Sequence, residues 1–438
     1  MLKYKFAIAC GLSAVLATVV AAWPAPKAPA MPKFPDAHEA PPRGWKGMVF
    51  HLRTDYPKVA PAPVNQPWRK LSFKTQPKAY MQAVLNYCLE GNLETDFVVQ
   101  KNKKRNWYHV PWLHWGPFGR EFINGFTVEL PAPPGKLGVG QVRTASNISI
   151  GFYNDVAAAT IGKVWNSTTP NYSKDMKFAD GSVTFKTLHV DADAQELPYL
   201  KDSPEYLAYI PSEPGGISPE GEVIPPSANR VYKKVRLLQI DIGVRDTRAN
   251  DGTGWVFGTF VYDGTRPGNN PWKKLIPVGL HWGNSPGVTP TNGKALSEQW
   301  INPDMKLFPG RQNPGMGYAG RMNGPLDNPA SACLSCHGTA QMVNQAPLAP
   351  MPNASQATIM SYFNNVKPGK RFLKTGGPST DYSLQLAMSV SNYLEWNKVV
   401  MSQRSPEALT AADMPNQDRY IETRQGSFLE PSNNKGGK

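Results

Sequence analysis

Five consecutive residues, Cys333-Leu334-Ser335-Cys336-His337, carry the densest chemistry in the chain. Two thiols three positions apart, followed at once by an imidazole, form the C-x-x-C-H run of c-type haem attachment. In that chemistry the thiols add to the vinyl groups of the macrocycle as thioethers, and the tether places the adjacent imidazole beneath the iron. A thioredoxin-like dithiol needs a βαβ context and a zinc site needs a second ligand pair; neither accompanies this run. One run implies one covalent haem c, attached at Cys333 and Cys336 and ligated by His337. The remaining axial position decides the expected function. A protein ligand there makes an electron carrier, whereas an open side makes a site for a small molecule. Met342, Met351, Met360, Met388 and Met401 follow the run, and His281 lies upstream beside Trp282.

Other reactive side chains read more simply. Cys88 shares a helical face with Met81, Val84 and Leu85, as a buried structural thiol would. His109 and His114 sit in Trp107-Tyr108-His109-Val110-Pro111-Trp112-Leu113-His114-Trp115, a spacing suited to packing among aromatics and not to a metal pair. No nucleophile elbow, phosphate loop or zinc-protease motif is present, so hydrolase and nucleotide-binding classes have no support.

These groups must be positioned by a mainly β framework. Ser182–Leu188, Val235–Val244 and Gly254–Tyr262 are rich in β-branched and aromatic residues and are bracketed by turns such as Asp251-Gly252 and Asp263-Gly264. Val235–Val244 carries apolar groups on both faces, which predicts a strand covered on both sides. Met81, Val84, Leu85 and Cys88 fall at helical spacing and predict a helix over 77–90, stopped at Gly91. The segment 284–329 reads as loop. Leu384, Leu386, Met388 and Val390 alternate with polar or small residues and predict one more strand, and the last twenty residues read as a mobile tail.

The chain has 438 residues with 38 Gly and 43 Pro; 40% is apolar and 18% charged, which suits a sizeable β-rich core and argues against wholesale disorder. Lys3 and Lys5 precede an apolar stretch that closes on Val20-Ala21-Ala22, so residues 1–22 read as a signal peptide. The expected product is exported, periplasmic in a bacterium, and without a stable membrane span. Residues 23–99 form a proline-rich arm with a helix, 100–345 the haem domain, and 346–438 a C-terminal extension. The net charge of +14 is dispersed, densest at Lys101-Asn102-Lys103-Lys104-Arg105. It reads as a solvated basic surface or as the complement of an acidic redox partner protein. Nucleic acid is not an expected partner, because no recognition motif accompanies the charge.

Five segments, in order, resemble the cytochrome P-four-sixty family of exported β-sheet c-haem proteins. They are Arg105-Asn106-Trp107-Tyr108-His109-Val110, Phe152-Tyr153-Asn154-Asp155, Phe178 through Lys186, Val244-Arg245-Asp246, and Gly254-Trp255-Val256-Phe257-Gly258. The resemblance covers roughly residues 100–345. It implies an antiparallel sheet domain, His337 as proximal ligand, and Lys186 as a lysine bonded covalently to the haem ring. It also implies Asp241 as the distal carboxylate, a glutamate in the family, that relays protons during oxidation of a small nitrogen compound such as hydroxylamine. The family's distal arginine falls at Ser149, so that role moves to Arg143 or is absent. Taken alone, Lys186 reads equally as a solvent-facing strand lysine, and Asp241 equally as a hydrogen-bonded structural acid. Three functions stay open: an oxidoreductase, a plain electron-transfer cytochrome with a methionine or histidine sixth ligand, and a binder of nitric oxide or another gas.

Overall fold

The longest strand, Arg230–Arg245, organises the computed structural model, which describes residues 34–217, 223–305, 317–351 and 353–401. The expected signal peptide and terminal tail lie outside these residues. The strands in chain order are β1 (Trp107–Tyr108), β2 (Thr127–Val128), β3 (Asn147–Asn154), β4 (Val183–Val190), β5 (Glu205–Pro211), β6 (Gly216–Ile217), β7 (Val223–Ile224), β8 (Arg230–Arg245), β9 (Trp255–Tyr262), β10 (Leu275–His281) and β11 (Gln299–Ile301). Nine of them make one antiparallel sheet in the order β1-β3-β4-β8-β9-β10-β11, with β2 on β3 and β5 on β8. The protein is therefore mainly β. The helices are α1 (Pro77–Leu89), α2 (Asp155–Val164), α3 (Cys333–Gly338), α4 (Gln356–Ser361) and α5 (Leu384–Met401).

Alternation along the central strands divides the sheet into two chemically distinct faces. On one, Leu238, Ile240, Ile242 and Phe260 pack into the core with Met81, Val84, Leu85 and Cys88 of α1, all at most 1% exposed. The backbone of β9 comes close enough to α1 that a Cβ at Gly258 would sit 3.0 Å from Met81 Cε. The other face, carrying Lys186, Asp241 and Thr259, lines the cavity described below. Burial raises the Cys88 thiol well above its ordinary value, as befits an inert structural cysteine.

The stretch from Leu384 is a helix, not the expected strand. Leu386, Ala387, Val390 and Tyr393 are its buried apolar side chains among the described residues, a helical spacing that the short local alternation concealed. An eighteen-residue helix also satisfies its backbone internally, which suits a segment laid across a sheet face and not paired at its edge. The arm from residue 34 is extended and hugs the surface. Phe50 N–H bonds Phe122 O at 2.8 Å, and Trp45 stacks on Tyr232 at 5.6 Å.

Candidate functional site

Register places the central side chains. Gly151 pairs with Lys186, Lys186 with Asp241, and Asp241 with Thr259, so one row crosses β3, β4, β8 and β9. Directly opposed residues in antiparallel strands project to the same face. Lysine, aspartate and threonine therefore stand side by side. The adjacent row, Tyr153, Thr184, Gly243 and Phe257, lies on that face too. Above the sheet a cavity of about 350 Å³ is closed by α3, by loop 323–331, by loop 342–348 and by α5.

Cys333, Cys336 and His337 reach this cavity from α3. At spacings of three and four residues they share one helical face. Ser335 Oγ accepts the Ala332 N–H at 2.8 Å and steadies the helix start. The two thiols are not joined to each other in a disulfide. His337 Nδ1 donates to the carbonyl of Tyr382 at 2.8 Å, which leaves the lone pair of Nε2 as its unshared basic site, the tautomer of an iron-ligating imidazole. Burial pulls its pKa down to about 4, so the ring is neutral. Asp381 and Tyr382, at φ of 49° and 73°, turn that carbonyl toward the ring. The turn is held because buried Asp381 accepts the N–H groups of Phe178 and Gly369, and Tyr382 Oη donates to Val366 O. Strained backbone maintained by surrounding bonds is common at functional sites.

Asp241 is the most perturbed acid on the sheet side of the cavity. Desolvation first, and then the charge of Asp327, raise it to about 7, while Lys186, Thr259 and Gln239 act in the opposite direction. Thr259 Oγ1 donates to it at 2.7 Å, and Gln239 Nε2 at 2.8 and 3.0 Å. Gln239 is itself anchored, its Oε1 accepting the Leu326 N–H at 3.1 Å. Lys186 Nζ lies 3.3 Å from Glu129 Oε1, a carboxylate that also accepts from Ser149 Oγ at 2.7 Å. Ser149 thus serves as a buried neighbour of the acid paired with Lys186.

Other candidates lie elsewhere. Arg143 is on the surface, bound to Asp191 and Glu196, and does not line the cavity. His281 is buried on β10 and does not line it either. Among the candidate methionine ligands, Met342 and Met388 reach the wall; Met351 is exposed at the surface, and Met360 packs against the separate Ala332–Phe363 cluster. His109 and His114 pack among Phe50, Phe152 and Trp112. The basic run near residue 101 is solvated, with Lys104 and Arg105 paired to Glu94 and Glu90.

Several wall residues other than Met388 carried no separate sequence signal. Gln385, Met388, Ser391, Glu395 and Lys398 form one stripe of α5 over the cavity. Their three- and four-residue spacing is a helical pattern that the reading of 384–390 as a strand hid. Burial raises Glu395 to about 7, giving the cavity a second protonatable acid. Among the described residues no helix is long and apolar enough to cross a membrane, and no group of three or more His, Cys, Asp or Glu forms a metal cluster. Comparison with known proteins returned no match to a family model, a curated protein or a solved structure.

Proposed function

We propose that this protein is a c-type cytochrome with one covalent haem in the cavity between the sheet and α5, acting as an oxidoreductase on a small nitrogen compound. The observation that carries the reading is convergence. Two thiols and an imidazole with its Nε2 lone pair available reach the same cavity as an adjacent lysine and a carboxylate with a pKa near neutrality. Those donors fit a haem tethered at Cys333 and Cys336 and ligated by His337. The resemblance to the cytochrome P-four-sixty family supports the same assignment and adds a bond from Lys186 to the ring. Export to a bacterial periplasm belongs to the proposal, because c-type attachment and the leader-like N-terminus agree on it.

When bound, the haem supplies a coordination position for the substrate and a sink for its electrons. The chain's own residues handle protons. The ionised form of Asp241, about half of the population near pH 7, takes a proton from the substrate at an Oδ atom, becomes the neutral acid, and releases that proton to solvent before the next turnover. Thr259 and Gln239 fix the carboxylate in one orientation. Phe257, 4.7 Å from the His337 ring, restricts that ring's rotation.

Met342 and Met388 on the wall carry a second reading, an electron carrier with a methionine sixth ligand. Protein matured in a periplasm, analysed by pyridine haemochrome spectrum and intact mass, tests the cofactor; a mass lacking one haem overturns it. Ferric and ferrous spectra with and without nitric oxide separate the functions. A low-spin spectrum indifferent to nitric oxide favours the carrier, and a nitric oxide complex without turnover of hydroxylamine favours a gas binder.

A further inference from the structure

A second cavity, of about 260 Å³, opens on the opposite face of the same sheet. Its floor is made by Ile150 and Phe152 of β3 and by Thr187 and His189 of β4, the residues that alternate with Gly151 and Lys186 of the haem-side face. Phe97 and Trp272, with ring centres 5.4 Å apart, wall one side. Phe126 and Tyr206 wall the other, 4.6 and 5.3 Å from the His189 ring. The arm forms the mouth, where Met48 is 36% exposed.

Asp96, Lys101 and His51 also line the cavity but are exposed to solvent, so two imidazoles set the polarity of its buried part. His109 Nδ1 accepts the backbone N–H of Arg53 at 3.0 Å, so its proton resides on Nε2. That Nε2–H is buried and has no hydrogen-bond partner, and the same is true of His189 Nδ1. Both rings line the cavity and are 1 and 2% exposed. An orphaned buried donor is costly, and a ligand acceptor removes the cost. Burial holds both histidines well below their ordinary pKa, so neither offers charge to an anion.

We propose that this cavity is a binding site for a neutral, single-ring aromatic molecule bearing a carbonyl or ether oxygen, which accepts the His109 Nε2–H while the ring lies among Phe97, Phe126, Phe152 and Trp272. The volume limits the ligand to about one ring, since pockets for drug-sized molecules start near ~300 Å³. The aromatic walls favour a planar π-system in offset or edge contact. A charged ligand is disfavoured, because the buried rings are neutral and the solvent-exposed Lys101 and Asp96, of opposite charge, would not compensate its desolvation. The site is separate from the proposed haem cavity and does not depend on it.

The test is fluorine NMR on the full-length protein with para-fluoroacetophenone as probe. Selective broadening is expected, reversed by unlabelled acetophenone. The apolar analogue para-fluoro-ethylbenzene should bind about tenfold more weakly, the worth of one hydrogen bond, and para-fluorobenzoate should not bind. Thr187→Phe fills the cavity from its floor and Met48→Trp closes its mouth; each should abolish broadening. The mouth variant decides the matter if the floor variant fails to fold. Absence of broadening, equal binding of the benzoate, or binding that persists in the folded variants would overturn the assignment, the last by placing the probe elsewhere.

Discussion

Asp241 and Lys186 are adjacent in space because β4 and β8 pair antiparallel in this register, and a one-residue slip of β8 would send Asp241 to the α1 side and leave Lys186 without it. Desolvation raises the Asp241 pKa from 3.8 to about 7, which has a consequence for stability. An acid whose folded pKa is raised contributes fully below its unfolded pKa and loses that contribution as pH rises through the folded value. Asp241→Asn should therefore melt close to wild type near pH 4 and increasingly above it as pH approaches 8, measured by calorimetry. The same variant should lower turnover of a hydroxylamine-type substrate by about 10²–10⁴-fold, the usual worth of a general base, and flatten the pH profile around neutrality. Lys186→Ala bears on a different bond. Proteolysis and mass spectrometry should find a haem peptide joined to the Lys186 strand in the wild type and only the Cys333–His337 peptide in the variant. A wild-type haem peptide without the strand would make Lys186 an ordinary partner of Glu129.

At the scale of elements, the site is a sandwich of sheet, α3 and α5. The carbonyl that orients His337 comes from Tyr382, two residues before α5 begins, so the helix and the His337 imidazole are mechanically linked. Leu386 is fully buried on the inner turn of that helix. Leu386→Ala should cost about 2–5 kcal/mol in denaturant unfolding, the range for emptying a core leucine position. A loss below about 0.5 kcal/mol would mean that α5 is not anchored there, since that is the scale of surface substitutions. The strand expected over these residues rested on four alternating apolar positions. Seven or eight residues of alternation do not separate a strand from one face of a helix, and the deciding positions, Tyr393 and Trp396, lie beyond that window.

At the scale of the whole molecule, the chain carries a net charge of +14. A field of one sign should speed encounters with anions and slow those with cations, and salt should reduce both effects. Reduction or oxidation by an anionic iron-cyanide complex is expected to slow as ionic strength rises, whereas exchange with a cationic cobalt complex should quicken; stopped-flow absorbance measures both. Identical salt dependence for the two reagents would show that electrons pass to the proposed haem through a neutral patch and would count against an acidic redox partner. The long arm adds surface coverage of another kind, since Phe50 and Tyr56 close over Gly125 and Gly162, where a Cβ would meet their rings or side-chain carbons within 3 Å.

Composition and local pattern were enough for the mainly β class, the helix over 77–90, the central strands and the buried Cys88, because each depends on periodicity or propensity within a short window. The C-x-x-C-H run was legible as a chemical motif for the same reason: its spacing is local. The sequence also placed Asp241 on an apolar strand, from which a raised pKa follows by desolvation alone. What it could not contain is pairing. Glu129, Asp327 and Glu395 join Lys186 and Asp241 only because strands distant in the chain align and α5 crosses above them, and Arg143 and His281 fall away for the same reason. Burial and charge proximity depend on contacts between residues tens or hundreds of positions apart, so the tertiary structure alone decided which acids share the cavity and which histidines face a second one.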